Sequence, residues 1–396
     1  MANPGKRVVA RAVPDEMPAA VDPQSRDVRV VLYGRDDCDM ADSHQGMTLK
    51  AIGERVARLA DYTFAGCYDA AAHRPADGRL YFVPADTLSG VASARQLGIA
   101  THQDLFGGVV PHAFIGTKAI THGLVAPDAP APAGWSEAFA ARVRPHVLPG
   151  FTAFSVRDAR HAGRKMLRGG KVRVKETSGA GGHGQKVVGS AAELDAALDA
   201  IDPSCIEQVG IVLERNLDDV TTFSVGQVEI GEWLASYCGT QSLTTNHAGE
   251  KVYGGSTLRV VRGTLADLLA HPIEAHLRCA VQAANAYHAA AVDCFRGTLV
   301  SRCNYDVAMG TANGLSMLGV LEQSWRVGGA TGAELAALAA FQADPRCRRA
   351  TASTREVYRA DITLPAGAEV YFQGEDRSVG ALTKYAILES VSDGHT

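Results

Sequence analysis

The chain has 396 residues, 46% of them hydrophobic and 21% charged, and a net charge of -4. These values are typical of a soluble globular protein with two or three domains. The small net charge and the lack of an apolar stretch long enough to span a bilayer predict neither a nucleic-acid partner nor a membrane partner.

Eight cysteines are scattered through the sequence, and no two of them form a C-x-x-C pair. In a chain of this length such cysteines predict reduced thiols rather than a disulfide framework. The N-terminus also lacks the apolar core of a signal peptide. We therefore expect a cytoplasmic protein, and the sequence leaves its association into a homo-oligomer open.

Residues 1–27 are rich in proline, alanine and charge without periodicity, which predicts a flexible arm. After the arm, two short apolar runs alternate with a helical pattern at about 43–60. Strands that alternate with helices at this spacing predict a parallel sheet, and we assign residues 28–125 to a small α/β domain. A proline-rich connector at 126–132 follows this domain.

The most distinctive stretch is 172–188, where an alternating apolar and basic run leads into a glycine-rich segment and then a second short β-branched run. It predicts a hairpin, within a subdomain at 126–210, whose tip exposes backbone N–H groups. These N–H groups, and the Lys175 ammonium at the end of the first strand, are suited to binding phosphates. The alternative is a flexible surface hairpin whose glycines have no function.

Gly179, Gly181 and Gly184 also satisfy G-x-G-x-x-G, the pattern of dinucleotide-binding sites. That pattern requires a helix that begins directly after the glycines. Residues 185–188 instead predict a strand, and the next helix is predicted to begin at Ser190. A dinucleotide-dependent oxidoreductase is therefore the least favoured of three functional hypotheses.

Residues 211–345 are predicted to form a second, larger subdomain, and 346–396 supply strands that complete the fold. Residues 240–255 are polar and contain glycines, and we expect a long loop there that could close over a substrate. A helix is predicted from Thr331, because Thr331 and Glu334 have the spacing of a capping box.

Asp306 and Glu322 lie sixteen residues apart, on two predicted strands that are joined by a glycine-containing turn. A hairpin of this length can place the two carboxylates side by side. Adjacent carboxylates repel, so one of them takes up a proton unless a cation lies between them. Mg²⁺ is the natural cation, because it prefers oxygen ligands and shares its coordination with phosphates.

Arg326 follows four residues after Glu322 and precedes Gly328 and Gly329. An arginine in a loop that enters a helix is suited to binding a phosphoryl or carboxylate oxyanion. Structural alternatives exist for each residue alone, since Asp306 could cap a turn and Glu322 could form an ion pair with Arg326. The whole series, downstream of a lysine and a glycine-rich hairpin, favours a functional site.

In order and spacing these residues resemble the ATP-grasp superfamily over residues 113–342. The resemblance rests on Lys175 with the glycine-rich tip, the strand end at Glu214, and Asp306 and Glu322 with the glycines that follow. Within the superfamily, the sequence around the two acids is similar to a group of bacterial proteins of unassigned activity.

The resemblance implies an ATP-grasp-like fold, in which two α+β subdomains clasp ATP after a small α/β domain with a parallel sheet. It implies an ATP- and Mg²⁺-dependent ligase that joins a small-molecule carboxylate to an amine or thiol through an acyl phosphate. Asp306 and Glu322 match the metal ligands, and Arg326 is the expected catalytic residue. The residues expected to contact ATP are Lys118, Lys175, Gly181, Gly182, His183, Gly184 and Glu214.

The sequence also departs from the superfamily pattern. Thr117 precedes Lys118 where an acid is usual, and Ser324 stands where the superfamily has an asparagine after the second metal ligand. Thr221 and Thr222 stand where a ribose-binding acid is usual. Ser324 and the missing ribose-binding acid support a second hypothesis, a nucleotide-binding sensor or scaffold without catalysis.

Overall fold

A computed structural model describes residues 28–34, 43–72, 78–177 and 184–393. The arm predicted at 1–27 lies outside the described residues. The strands of the described chain form four sheets, and the largest of them, with eight strands, carries the two paired acids.

The first part of the chain alternates short strands with helices. Its elements are β1 (Val28–Tyr33), α1 (His44–Ala60), β2 (Thr63–Cys67), β3 (Arg79–Pro84), β4 (Leu88–Ser89), α2 (Val91–Gln96) and β5 (Gly108–Val110). Strands β2, β1 and β3 pair in parallel in that order. The parallel sheet predicted from the alternation is therefore confirmed.

The second part builds a small antiparallel sheet that is covered by helices. Its elements are α3 (Glu137–Val143), β6 (Gly150–Ala153), α4 (Val156–Leu167), β7 (Val172–Glu176), β8 (Gln185–Val188), α5 (Ala191–Asp199), α6 (Pro203–Val209) and β9 (Ile211–Arg215). The strand order is β6-β9-β7-β8, and apolar residues of α4 and α5 pack on this sheet. Strands β7 and β8 form the predicted hairpin, with Lys175 opposite Gln185.

The third part supplies the large sheet. Its elements are β10 (Asp218–Ile230), β11 (Trp233–Thr245), β12 (Lys251–Arg262), α7 (Leu265–Ala270), α8 (Ala275–Cys294), β13 (Leu299–Val300), β14 (Arg302–Ala312), β15 (Leu315–Ser324), α9 (Thr331–Ala343), β16 (Arg349–Val357), β17 (Glu369–Asp376) and β18 (Gly380–Ser392). The strand order is β15-β14-β10-β11-β12-β16-β18-β17, with antiparallel neighbours.

The two faces of the large sheet are covered by different helices. Apolar residues of α8 pack on one face, where Val225, Tyr305 and Val307 are buried. On the other face α1 and α9 pack against Val228 and Leu258. Alternation along β14 puts Asp306 on the α9 side. Among helices of the described ranges, none is long and apolar enough to cross a membrane.

Two local predictions are wrong. The long loop expected at 240–255 is a β-hairpin, because β11 continues to Thr245 and β12 begins at Lys251 in paired register. The capping box expected at Thr331 does not form either: Ala330 is the N-cap and no side chain caps the helix. Glu334 turns into the protein instead, where it meets Arg302.

Candidate active site

The paired acids lie on the hairpin of β14 and β15. Asp306 is directly opposite Glu322, and a bulge follows at the next position. A two-residue turn of Asn313 and Gly314 joins the strands, and both residues have the positive φ angles, 51° and 76°, that such tight turns require. The side-by-side placement predicted from the sequence is confirmed, while the role of the two acids as metal ligands stays a prediction.

The surroundings of this pair concentrate negative charge. Burial and the neighbouring Glu322 carboxylate raise the pKa of Asp306 to about 6. Asp306 Oδ1 accepts hydrogen bonds from Gln241 Nε2 at 2.8 Å and from Asn304 Nδ2 at 2.9 Å. Lys118 Nζ lies 3.1 Å from Glu322 Oε2. One lysine therefore faces two carboxylates, which leaves room in the charge balance for a further cation.

The donor set can be compared with what a metal ion needs. Within the described ranges, no group of three or more His, Cys, Asp and Glu side chains is arranged to hold a metal. Mg²⁺ is commonly bound through one or two carboxylates, with water and phosphate oxygens completing its shell. The Asp306 and Glu322 carboxylates fit Mg²⁺ in this mode, but they do not form an all-protein metal site.

The side chain of Gln323, which sequence reasoning did not single out, holds the Lys118 segment close to Glu322. Gln323 Nε2 donates to the backbone carbonyls of Ile115 at 2.6 Å and Thr117 at 2.7 Å. Tyr287 OH in turn donates to Gln323 Oε1 at 2.9 Å. Gln323 therefore ties the segment that carries Lys118 to the strand that carries Glu322. A glutamine in a strand gives no signal of such a contact, because its partners are backbone atoms far away in the sequence.

A second buried cluster surrounds Glu214 at the end of β9. Lys175 Nζ lies 2.5 Å from Glu214 Oε1, and His122 Nε2 lies 3.0 Å from Glu214 Oε2. All three side chains are almost completely buried. Burial opposes ionisation of Glu214, but the contacts with Lys175 and His122 outweigh it and lower its pKa to about 2. Because Glu214 binds Lys175, the cluster joins two of the predicted ATP-binding residues.

His122 is a residue that sequence reasoning missed. It directly follows the short 3-10 turn Lys118–Thr121. The same short segment therefore places Lys118 against Glu322 and His122 against Glu214. A Cβ at Gly150 would lie 2.7 Å from His122 Cε1, so the glycine makes room for the imidazole ring. The histidine is not part of any recognisable local pattern, and only the fold brings it to Glu214.

The glycine-rich tip can be located only in part. Gly181, Gly182 and His183 lie outside the described residues. Gly184 is described, and its carbonyl accepts a hydrogen bond from the Glu176 N–H at 2.9 Å. The residues that follow it form β8 and not a helix. The hypothesis of a dinucleotide-dependent oxidoreductase is therefore wrong, because the phosphate site of such an enzyme needs a helix N-terminus directly after the glycines.

Arg326 lies beside the first sheet rather than beside Glu322. Its Nε is 3.8 Å from Asp86 Oδ1, which follows β3, and an Nη1 hydrogen donates to the Val327 carbonyl at 2.8 Å. Among the described ion pairs, Glu322 is paired with Lys118, so the proposed structural pair of Glu322 with Arg326 is not formed. The Arg326 side chain is 35% exposed, so it is accessible to a ligand.

Comparison with protein families assigns the chain. Residues 32–386 match DUF3182, described as a protein of unknown function. The chain belongs to the DUF3182 family. No curated protein matches it.

Solved structures similar to this DUF3182 protein include a synthetase, a carboxylase and a ligase. An N5-carboxyaminoimidazole ribonucleotide synthetase in complex with ADP has a TM-score of 0.50 at 12% identity, and the match covers 92% of each chain. Biotin carboxylase from Campylobacter jejuni has a TM-score of 0.49 at 10% identity, covering 91% of this chain and 87% of that one. D-Alanine–D-alanine ligase from Bacillus anthracis has a TM-score of 0.44 at 11% identity, covering 76% and 86%.

The similarity to the synthetase establishes the fold of the DUF3182 protein. At 12% identity it does not transfer an activity. The protein has the ATP-grasp fold, and the resemblance predicted from the sequence is confirmed at that level.

Proposed function

We propose that the DUF3182 protein is an ATP- and Mg²⁺-dependent ligase that joins a carboxylate to an amine or thiol through an acyl phosphate. The observation that carries the proposal is the pairing of Asp306 with Glu322 beside the Lys118 ammonium, in a protein with the ATP-grasp fold. Phosphoryl transfer depends mainly on positioning and charge stabilisation, so these charges are the chemistry that the reaction needs.

In this proposal ATP lies between the subdomains at 126–210 and 211–345. Lys118, Lys175 and the backbone N–H groups of the glycine-rich tip bind its phosphates. Glu214 lies near the adenine and holds Lys175 by their contact at 2.5 Å. Both oxygens of Glu214 have protein partners, which supports a role in holding Lys175 in place.

The reaction has two steps. A carboxylate oxygen of the first substrate attacks the γ-phosphorus of ATP, the bond to the β–γ bridging oxygen breaks, and ADP leaves. The amine or thiol then attacks the acyl carbon of the acyl phosphate, loses its proton and displaces inorganic phosphate. Arg326 stabilises the charge of the transferred group. Mg²⁺ held by Asp306 and Glu322 would offset the charge of the ATP phosphates.

The proposal predicts that Glu322→Ala abolishes ADP formation without changing the fold, because Asp306 alone is a poor cation site. ADP release is measured for the wild type and the variant across pairs of carboxylates with amines or thiols, and circular dichroism checks the fold. Glu274→Ala is the control, since Glu274 forms an exposed ion pair with Arg259. Unchanged ADP release in a folded Glu322→Ala protein would contradict the metal assignment.

A second candidate is a nucleotide-binding protein that does not catalyse. Ser324 favours it, because a serine at this position supplies a weaker metal ligand than the usual asparagine. It predicts that the wild type binds ATP but forms no ADP with any substrate pair. We favour the ligase, acting on small molecules in the cytoplasm, because the acids and lysines needed for phosphoryl transfer are present together.

A further inference from the structure

A buried charged pair lies behind the acids and has no part in the proposed reaction. Arg302 on β14 is 1% exposed and Glu334 on α9 is 0% exposed. Arg302 Nε donates to Glu334 Oε2 at 3.0 Å, and Nη2 donates to Oε1 at 2.6 Å. Removing two charges from water is costly, and such a pair is weak support for stability.

Arg302 holds the main chain that carries Arg326. Its Nη1 donates to the backbone carbonyl of Ser324 at 3.2 Å and also to the backbone carbonyl of Arg326. The residue between them, Trp325, is fully buried. The guanidinium group therefore fixes the backbone on both sides of Trp325, directly before the partly exposed Arg326 side chain.

Glu334 is linked to the acid on β14 through two neutral side chains. The Tyr237 hydroxyl donates to Glu334 Oε1 at 2.6 Å and to Asn304 Oδ1 at 3.1 Å, so its single hydrogen is shared between the two oxygens. Asn304 Nδ2 donates to Asp306 Oδ1 at 2.9 Å. These contacts link Glu334 to Asp306, and three of the four linked side chains, Glu334, Tyr237 and Asn304, are almost completely buried.

We infer that Glu334, Arg302 and Tyr237 are positioning residues that hold Asp306 and the Arg326 backbone at a fixed separation. One buried carboxylate organises both arms: through Arg302 it anchors the Arg326 backbone, and through Tyr237 and Asn304 it orients Asp306. Groups that orient a ligating carboxylate strongly affect how well it binds a metal. The inference rests on the proposed function, because it takes Asp306 as a metal ligand.

Tyr237→Phe tests the arm that leads to Asp306, since it removes only the hydroxyl and keeps the ring in the core. Free Mn²⁺ is titrated by electron paramagnetic resonance in the presence of ADP, and ADP binding is measured separately without metal. We expect the dissociation constant for Mn²⁺ to rise about tenfold, while metal-free ADP affinity stays unchanged. Tyr81→Phe, at a buried tyrosine of β3, is the matched control and is expected to bind Mn²⁺ like the wild type.

The route through Asn304 is tested by combining two variants. If the Tyr237 hydroxyl acts through Asn304, the double variant Tyr237→Phe/Asn304→Ala binds Mn²⁺ no more weakly than Asn304→Ala alone. Additive losses would overturn this route. Asn304→Ala also serves as the test if Tyr237→Phe does not fold, and an unchanged Mn²⁺ affinity in that folded variant would overturn the positioning role.

The wild type separates this inference from the proposed function. If Mn²⁺ binding weakens in Tyr237→Phe while the wild type forms no ADP, the ligase proposal is overturned and the positioning network is supported. Unchanged Mn²⁺ binding in a folded Tyr237→Phe protein overturns the network even if ADP forms. A wild type that binds no Mn²⁺ with ADP overturns both.

Discussion

At the scale of residues, the carboxylates of Glu214 and Asp306 differ in how their charge is balanced. Glu214 has one oxygen against Lys175 and the other against His122, and its pKa is lowered to about 2. Burial and Glu322 instead raise the pKa of Asp306 to about 6. Glu214 is therefore neutralised by the protein itself, whereas Asp306 and Glu322 retain excess negative charge. The second arrangement is the one that an external cation can relieve.

Glu214→Gln is expected to destabilise the protein by about 3 kcal/mol at neutral pH, because it leaves the Lys175 charge buried without its partner. In the folded wild type the pKa of Glu214 is below its ordinary value of 4.5. The stability that the Glu214 charge contributes is therefore present above pH 4.5 and is lost as the pH falls from 4.5 towards 2. The difference between variant and wild type should therefore shrink in acid. Urea unfolding at several pH values measures it.

The control for this experiment is Glu274→Gln, because the Glu274 ion pair with Arg259 is exposed. Removal of an exposed pair is expected to change stability by less than about 1 kcal/mol. An equal and pH-independent loss in both variants would contradict the account of Glu214.

At the scale of elements, the hairpin of β14 and β15 decides whether the site exists. Its register sets Asp306 opposite Glu322, and a slip of one residue would turn one carboxylate to the opposite face of the sheet. The turn fixes this register, because Asn313 and Gly314 both adopt positive φ angles. A Cβ added at Gly314 would meet no atom within 4 Å, so only the backbone conformation disfavours a side chain there.

Gly314→Ala is therefore expected to cost about 1 kcal/mol through backbone strain alone. Gly189→Ala is the matched control: a Cβ there would meet its nearest atom at 3.7 Å, and the residue does not have a positive φ. We expect the control to be neutral or slightly stabilising. Thermal unfolding compares the two, and equal effects would show that the turn conformation is not the cause.

At the scale of the whole molecule, the N-terminal sheet and the large sheet share one core. Apolar residues of β1 and α1 lie in the same buried cluster as residues of α9 and β16. Polar contacts reinforce the junction. The backbone N–H of His44 donates to Asp376 Oδ2 at 2.7 Å, and Arg55 Nε pairs with Glu369 Oε2 at 2.8 Å. The first helix is therefore anchored to the last strands of the chain.

His44 gives this junction a pH dependence. The pKa of His44 is lowered from 6.5 to about 4, mainly by burial and to a smaller extent by the charge of Lys384, while Asp376 acts in the opposite direction. The unfolded chain takes up a proton at this residue as pH falls through 6.5, but the folded protein takes it up only near 4. Stability is therefore expected to fall as pH is lowered from 6.5 towards 4.

His44→Asn is expected to reduce the drop in melting temperature between about pH 7 and about pH 5, because it removes the group that titrates in this window. Differential scanning calorimetry of both proteins at the two pH values measures it. His276→Asn, at an exposed position of α8, should keep the wild-type difference. If His44→Asn shows the same drop in melting temperature as the wild type, the titration of His44 is not coupled to folding.

The sequence by itself determined the features that depend on near neighbours. The pairing of β7 with β8 and the pairing of Asp306 with Glu322 follow from strand periodicity and short turns, and both are found. Local patterns failed at 240–255, where polar side chains lie in paired strands. They also failed at Glu334, where a capping pattern was overridden by a buried partner.

Only the tertiary structure decided which charges meet. His122 and Glu214 are 92 residues apart in the chain, and Tyr237 and Glu334 are 97 apart. A charged side chain is stable in the interior only where a partner from another element compensates it, and no local pattern encodes that partner. The residues expected to bind ATP could thus be picked from the sequence, but the residues that hold them in place could not.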